Sequence, residues 1–414
     1  MKSHGVTTLF MLLLVCSMSL QAQGPGPGPG PGKHIFLSED GTARIPFAPD
    51  LGYVVFAAKV NGKANVRLIL DTGMPMPGLI MIGKGNKDQL GMNFVAEMPV
   101  PGDPGNQEPL MASVAQGVSL SLPGLELTDL SAIVEPEAGN LGAMLGDDDG
   151  IIGFELFSQF TITIDFDKYE IILVEPDKFQ MPPNAEVLPL LMRNGLPFLK
   201  CSAEMVGGAV APMELVVDLG ASHAVSLNVG THEAIVPPDN SIETLLGKTV
   251  SGPIYGEVGR INTLRLGDLE LHGVMSSFQT GPRHGPSAME KHGNLGNGVL
   301  RRFNVTFDYR NKRMILVPNS HFAEPFEYNM SGIEFSKTDE GTLKVERILP
   351  GSPAEEAQLS PGDVIHSING RPLGEIGRDE LRRILREKGA VVRLSLSSPT
   401  GITREVALAL RRVI

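Results

Sequence analysis

Short apolar runs of strand length, closed by glycine, proline, asparagine or aspartate, recur along the chain, while helical spacing of apolar positions is scarce. The clearest are Val66-Arg67-Leu68-Ile69-Leu70 and Met213-Glu214-Leu215-Val216-Val217, which predict buried strands. Each runs straight into an Asp-x-Gly triplet, Asp71-Thr72-Gly73 and Asp218-Leu219-Gly220, and each follows a glycine-containing turn, Asn61-Gly62-Lys63 and Gly207-Gly208. Farther on, Gly150-Ile151-Ile152-Gly153 answers to Gly293-Asn294-Leu295-Gly296. The alternating stretch Phe160-Thr161-Ile162-Thr163-Ile164-Asp165-Phe166-Asp167 answers to Phe303-Asn304-Val305-Thr306-Phe307-Asp308-Tyr309-Arg310, and a further strand follows each, over 170–174 and 313–317.

The offsets agree as well. Asp71 lies 82 positions before Gly153 and Asp218 lies 78 before Gly296; the distances to Asp165 and Asp308 are 94 and 90. Several matched elements at nearly constant spacing predict two copies of one β-rich unit, over residues 46–178 and 179–320. Beyond Pro318 the pattern changes. Residues 343–349 predict a strand, Ser352-Pro353-Ala354 opens a short helix to Leu359, and Pro361-Gly362-Asp363 turns into the strand 364–368. Asn369-Gly370 marks a tight turn, residues 378–388 a helix with Leu381, Ile384 and Leu385 on one face, and 391–397 and 403–410 two closing strands. These elements predict a separate domain over residues 330–414.

The first residues change the picture of where the chain resides. A charged start, an apolar segment over 6–20 and a small residue at Ala22 predict a signal peptide over residues 1–22, and hence an exported protein, periplasmic or extracellular. A lipoprotein signal through Cys16 fits less well, because the bulky Val15 stands where a small residue is preferred. Residues 23–45 open on Gly-Pro repeated from Gly24; a period of two suits neither a collagen helix nor a core, so an extended tether is expected. No other segment is long and apolar enough to predict a membrane span. With the signal removed Cys201 alone remains, which leaves no internal disulfide and a small core residue at that position.

At 414 residues the chain exceeds one ordinary core, and 48 glycines with 32 prolines favour short strands and turns. Lys and Arg number 35 against 47 Asp and Glu, a net charge of −12, with no basic stretch that could track a phosphate backbone, so nucleic acid is not an expected partner.

An aspartate at the end of a buried strand is an awkward place for a charge unless something needs it there. Two such aspartates, one per copy, would face each other across a pseudo-twofold axis. Like carboxylates in contact cannot both ionise, so they share a proton, and one can act as base toward a water while the other acts as acid toward a carbonyl. The glycine after each lets the backbone approach the partner carboxylate. No His-Glu-x-x-His and no Gly-x-Ser-x-Gly occurs, so no metal or cofactor is expected. The run Gly146-Asp147-Asp148-Asp149-Gly150 predicts a solvated loop rather than a cation site. His223, five residues after Asp218, is expected to be structural or solvent-facing. Residues 93–100 and 110–115, joined through Pro101-Gly102-Asp103-Pro104-Gly105, form a candidate flap hairpin, and the glycine-spaced segment 247–259 is a weaker candidate.

Asp71-Thr72-Gly73 with Gly150-Ile151-Ile152-Gly153, and Asp218-Leu219-Gly220-Ala221 with Gly293-Asn294-Leu295-Gly296, resemble the two half-sites of a pepsin- or retropepsin-like aspartic protease. The resemblance implies a mainly β fold, a two-lobed acid-protease-like double β-barrel, with Asp71 and Asp218 catalytic. It also implies loop positions at Thr72, Gly73, Leu219, Gly220 and Ala221, and support behind them from Ile152, Gly153, Leu295 and Gly296. The tail resembles a bacterial PDZ domain, an α+β, partly open β-barrel with two helices. Gly332-Ile333-Glu334-Phe335 is similar to its carboxylate-binding loop, and Leu349-Pro350-Gly351-Ser352-Pro353-Ala354, Leu359-Ser360-Pro361-Gly362-Asp363 and Ile368-Asn369-Gly370 to the rest of its signature. That implies capture of peptide or protein C-termini beside Ile333 and against the helix carrying Leu381 and Leu385. The whole arrangement is similar to a bacterial secreted aspartyl protease family with a C-terminal PDZ domain.

Two positions depart from that family. Leu219 stands where a hydroxyl residue bonds across the twofold axis to the opposite loop, and Met74-Pro75 follow Gly73 where a small residue is usual. Two functions are therefore open: an exported aspartic endopeptidase acting on peptide or protein substrates, and a degenerate, non-catalytic peptide-binding protein that keeps both folds.

Overall fold

A computed structural model describes residues 31–50, 52–83, 87–100, 110–137, 140–249, 252–280, 292–338 and 340–414. The signal peptide expected over 1–22 with Cys16, most of the Gly-Pro run and the hairpin turn 101–105 lie outside the described residues. Strands predominate and helices are short. The described chain divides into two units, one over residues 31–239 and 243–324 and the other over 240–242 and 325–414.

The first unit uses one strand plan twice. Ala64–Leu70 lies parallel to Gly150–Ile152, with Leu68 opposite Gly150 and Leu70 opposite Ile152. Val210–Val217 lies parallel to Gly293–Leu295, with Leu215 opposite Gly293 and Val217 opposite Leu295. Leu79–Gly83 and Val225–Asn228 flank the far side of these short strands, antiparallel and in matching register. Strands covered on both faces ask for unbroken apolar runs, and Leu68, Ile69, Leu70, Leu215, Val216 and Val217 are accordingly all buried.

A six-stranded antiparallel sheet joins the copies, three strands from each. Its order is Thr42–Asp50, Glu170–Val174, Thr161–Asp165, Phe303–Asp308, Arg313–Pro318, Glu186–Arg193. At its centre Ile162 faces Phe307, Thr163 faces Thr306 and Ile164 faces Val305. Thr306 is the counterpart of Thr163 in the other copy, so exchanging the copies maps this ladder onto itself. The pseudo-twofold axis thus passes through the Thr163–Thr306 pair, whose hydroxyls lie 2.7 Å apart.

Residues 33–36 and 42–45, expected as part of the tether over 23–45, are strands. Lys33–Phe36 pairs with Leu125–Pro136, and Thr42–Asp50 enters the six-stranded sheet. The rings of His34 and Phe36 meet Phe160 edge-on, and Ala43 and Ile45 are buried, apolar contact that a Gly-Pro repeat cannot supply.

In the second unit five strands run in the order Ile333–Lys337, Leu343–Ile348, Val364–Ile368, Val391–Ser397, Thr403–Ala409, with Arg371–Pro372 beside the third. Ser352 caps the helix Pro353–Glu356 by accepting from Glu355 N–H. The helix expected over 378–388 ends at Ile384 and gives way to turns. Its Leu381 and the capping Leu385 just past its end join Ile333, Phe335, Val345, Ile365 and Leu394 in one apolar core.

Candidate active site

Both Asp-x-Gly loops leave their strands in the same way. Asp71 N–H donates to Ile152 O and Asp218 N–H to Leu295 O, each at 2.9 Å. Gly73 N–H turns back to Asp71 Oδ1 at 2.6 Å, and Gly220 N–H to Asp218 Oδ1 at 2.8 Å. The loops close at Phe154 N–H to Met74 O and Asn297 N–H to Ala221 O. Ile152, Gly153, Leu295 and Gly296 lie against the loops, with Ile152 O and Leu295 O taking the aspartate N–H groups.

The two loops meet. A Cβ on Gly73 would sit 2.8 Å from Asp218 Oδ1, and one on Gly220 would sit 2.5 Å from Asp71 Oδ1. Each glycine α-carbon therefore rests on the other copy's carboxylate, an approach that a side chain would block. Neither aspartate has exposed surface. Burial pushes both carboxyls up: Asp71 goes well above the ordinary range, with the Asp218 charge adding to the rise. Asp218 is raised to about 6 by burial, held back chiefly by the hydrogen bond from Asn294. The pair therefore keeps one proton at pH values where separate carboxyls would keep none.

Thr72 holds the loops together from one side. Its Oγ1 donates to Val217 O at 2.7 Å and accepts from Leu219 N–H at 2.9 Å. Leu219, fully buried, has no hydroxyl to return the contact, while Asn297 Nδ2 donates to Leu219 O at 2.5 Å. The Tyr309 ring stacks on Phe157, 5.2 Å between centroids, and its buried hydroxyl has no hydrogen-bond partner. Burial and then the Asp71 and Asp218 charges push that phenol well up.

Sequence reasoning missed Asn294. Its Nδ2 donates to Asp218 Oδ2 at 2.7 Å, and His223 Nε2 lies 3.1 Å from its Oδ1. His223 is buried rather than solvent-facing, and burial pushes it down to about 4. The signal was present as the mismatch between Asn294 and the apolar Ile151. A polar residue in a buried strand seeks a buried partner.

The surroundings correct other expectations. The acidic run is only partly solvated: Gly146 and Asp147 are exposed, whereas Asp148 accepts from Arg67 Nε and Asp149 from Arg67 N–H, both at 2.9 Å, on the strand that leads into Asp71. No group of His, Cys, Asp and Glu that could hold a metal occurs among the described residues. Asn93–Val100 pairs with Leu110–Leu122, and this hairpin's Val100, Ala112, Met98 and Leu110 pack with Ile133 and with Met76, five residues past Asp71. In the second copy Gly256 lies against Leu246. Cys201 is half-buried and its thiol is pushed up to about 12 by burial, which keeps it protonated. Glu155, buried in the helix after Gly153, accepts from Gly32 N–H and Gly78 N–H at 2.8 Å, tying the first described strand to the loop after Asp71.

In the second unit Ile333–Lys337 is an edge strand, paired on one side with Leu343–Ile348. Gly332 has φ +75°, and a Cβ there would lie 2.0 Å from Ser352 Cβ, so this turn requires glycine. Ile333, Phe335, Leu381 and Leu385 come together, but as members of the core. Glu334 is held by Arg347, with Nε to Oε2 at 2.9 Å. Asn329 and Ser331 brace the loop: Asn329 Nδ2 donates to Ile333 O at 2.7 Å, and Ile333 N–H donates to Ser331 Oγ at 3.1 Å. Residues 327–397 match the family model of the PDZ domain, so the chain carries a PDZ domain there. Domains of this kind bind peptide C-termini by adding a strand to a sheet edge. No curated protein matches the chain. No helix among the described residues is long and apolar enough to cross a membrane.

Proposed function

We propose that the first unit is an aspartic endopeptidase of two-lobed, acid-protease-like fold, with Asp71 and Asp218 as its catalytic pair. The observation that carries this reading is the mutual contact of the loops, each glycine α-carbon against the opposite carboxylate. A water held by the pair loses a proton to the charged carboxylate as its oxygen attacks the scissile carbonyl carbon, and the carbonyl oxygen takes the proton of the neutral carboxyl. The tetrahedral diol then collapses: the C–N bond breaks, the amine leaves with the proton the first carboxylate had gained, and a diol hydroxyl returns its proton to the second carboxylate as the new carboxyl C=O forms, which restores the starting pair. The hairpin packed on Met76 would hold an extended peptide through main-chain bonds. The PDZ domain would bring protein C-termini, and the work would be done outside the cytoplasm after export.

Incubating the full chain with a mixed peptide library tests this. New termini are expected from the wild type and none from Asp71→Asn or Asp218→Asn, with chelators and iron or zinc salts making no difference. Cleavage by either variant at the wild-type rate overturns the assignment. A second reading, a non-catalytic peptide-binding protein, is favoured by the complete burial of both aspartates and the one-sided grip of Thr72. It predicts peptides bound and recovered intact.

A further inference from the structure

The pseudo-twofold axis makes the two aspartates equivalent in their Oδ1 atoms, each of which accepts its own loop's glycine N–H. The Oδ2 atoms are not equivalent. Asp218 Oδ2 accepts from Asn294 Nδ2 at 2.7 Å, whereas Asp71 Oδ2 is buried and has no hydrogen-bond partner. Ile151 occupies the matching position in the first copy and has no donor to offer, and neither Met74 nor Ala221, third after each aspartate, has one. Asn294 is itself fully buried, with His223 Nε2 on its Oδ1 at 3.1 Å. An amide whose oxygen faces a ring N–H and whose nitrogen faces a carboxylate has one workable orientation.

We propose that Asn294 and His223 are positioning residues that fix the division of labour in the pair, holding Asp218 as the charged base toward water and leaving Asp71 to carry the proton delivered to the substrate carbonyl. The inference rests on the peptidase reading. A buried carboxylate that gains a donor is stabilised in its charged form, and one that lacks a donor favours its protonated form, which can itself donate. His223, depressed to about 4 by burial, is a neutral donor at physiological pH and brings no counter-charge that would bind the base. Tyr309, directly after Phe303–Asp308, also faces the pair, and its phenol stays protonated. The acidic limb of a pH profile near 6 then belongs to Asp218, with His223 following only near 4.

The test follows the full chain labelled with carbon-13 at the aspartate carboxyls, titrated by NMR and assayed in parallel against a peptide it cleaves. In the wild type Asp218 is expected to titrate below Asp71. Asn294→Ile should raise the Asp218 midpoint by about one pH unit, move the acidic limb of the kcat profile by the same amount, and lower kcat about 10- to 100-fold with KM little changed. His223→Gln, which keeps an N–H donor, should restore wild-type values that His223→Ala loses. An Asp71 midpoint below that of Asp218, or an unmoved midpoint in Asn294→Ile, overturns the proposal. If Asn294→Ile does not fold, the His223 variants decide, and equal profiles for Gln and Ala overturn it. A wild type that titrates as expected and cleaves nothing supports the charge assignment and removes the peptidase reading instead.

Discussion

Thr72 makes alone a contact that a fully symmetric pair of loops would make twice. Its hydroxyl serves a buried acceptor and a buried donor of the other copy, so Thr72→Val abandons both. Each unmet buried group costs about 1–3 kcal/mol, and denaturant unfolding should show Thr72→Val losing about 2–4 kcal/mol while Thr72→Ser loses less than half of that. Leu219 is buried core at the same contact, so Leu219→Thr should lower stability, on the order of 2 kcal/mol, rather than tighten the pair. Glu135 sets a pH dependence of its own. Burial raises it from the ordinary 4.5 to about 7, so between those values the folded chain holds a proton that the unfolded chain has released. Its stabilising contribution is complete below about pH 4.5 and is lost as pH rises through about 7, on the order of 3 kcal/mol in all. Glu135→Gln should flatten that decline in denaturant midpoints measured from pH 4.5 to 8. A decline as steep in the variant would assign it to other groups.

At the scale of elements, the sheet that joins the copies is where symmetry is strictest. Thr163 and Thr306 meet across the axis through their hydroxyls. Replacing one by valine strands the other's hydroxyl, whereas replacing both leaves two methyl groups in contact. Each single variant should cost about 1 kcal/mol, and the double variant should cost less than their sum. A purely additive double-mutant cycle would show that the two strands pair without help from this bond. The alternation in 160–167 and 303–310 made both strands legible in the sequence. Their pairing with each other was not, because nothing local distinguishes a strand that meets its own repeat from one that meets a neighbour.

For the molecule as a whole, the division at Glu324 makes the PDZ domain a separable part. Residues 325–414 contain their own apolar core, which includes Met330, and Glu327 is paired with Arg412 near the far end. Expressed alone, this segment should melt in one cooperative transition and bind peptides that end in a free carboxylate in preference to the same peptides amidated. A broad, non-cooperative melt or equal binding of both peptide forms would contradict that.

The sequence by itself determined the repeat, the two Asp-x-Gly loops, the glycine elements behind them and the PDZ pattern, because each is written in local spacing: apolar runs, turn residues and offsets that survive duplication. It also marked Leu219 as the residue that breaks symmetry. Only the tertiary structure decided what replaces the lost contact and which aspartate differs from the other. Asn294 meets Asp218 across 76 positions, His223 meets Asn294 across 71 and Glu155 meets Gly32 across 123. Contacts at such separations arise from how strands stack after they form. A buried polar side chain must then satisfy whichever group packing brings to it, and no local pattern encodes that choice.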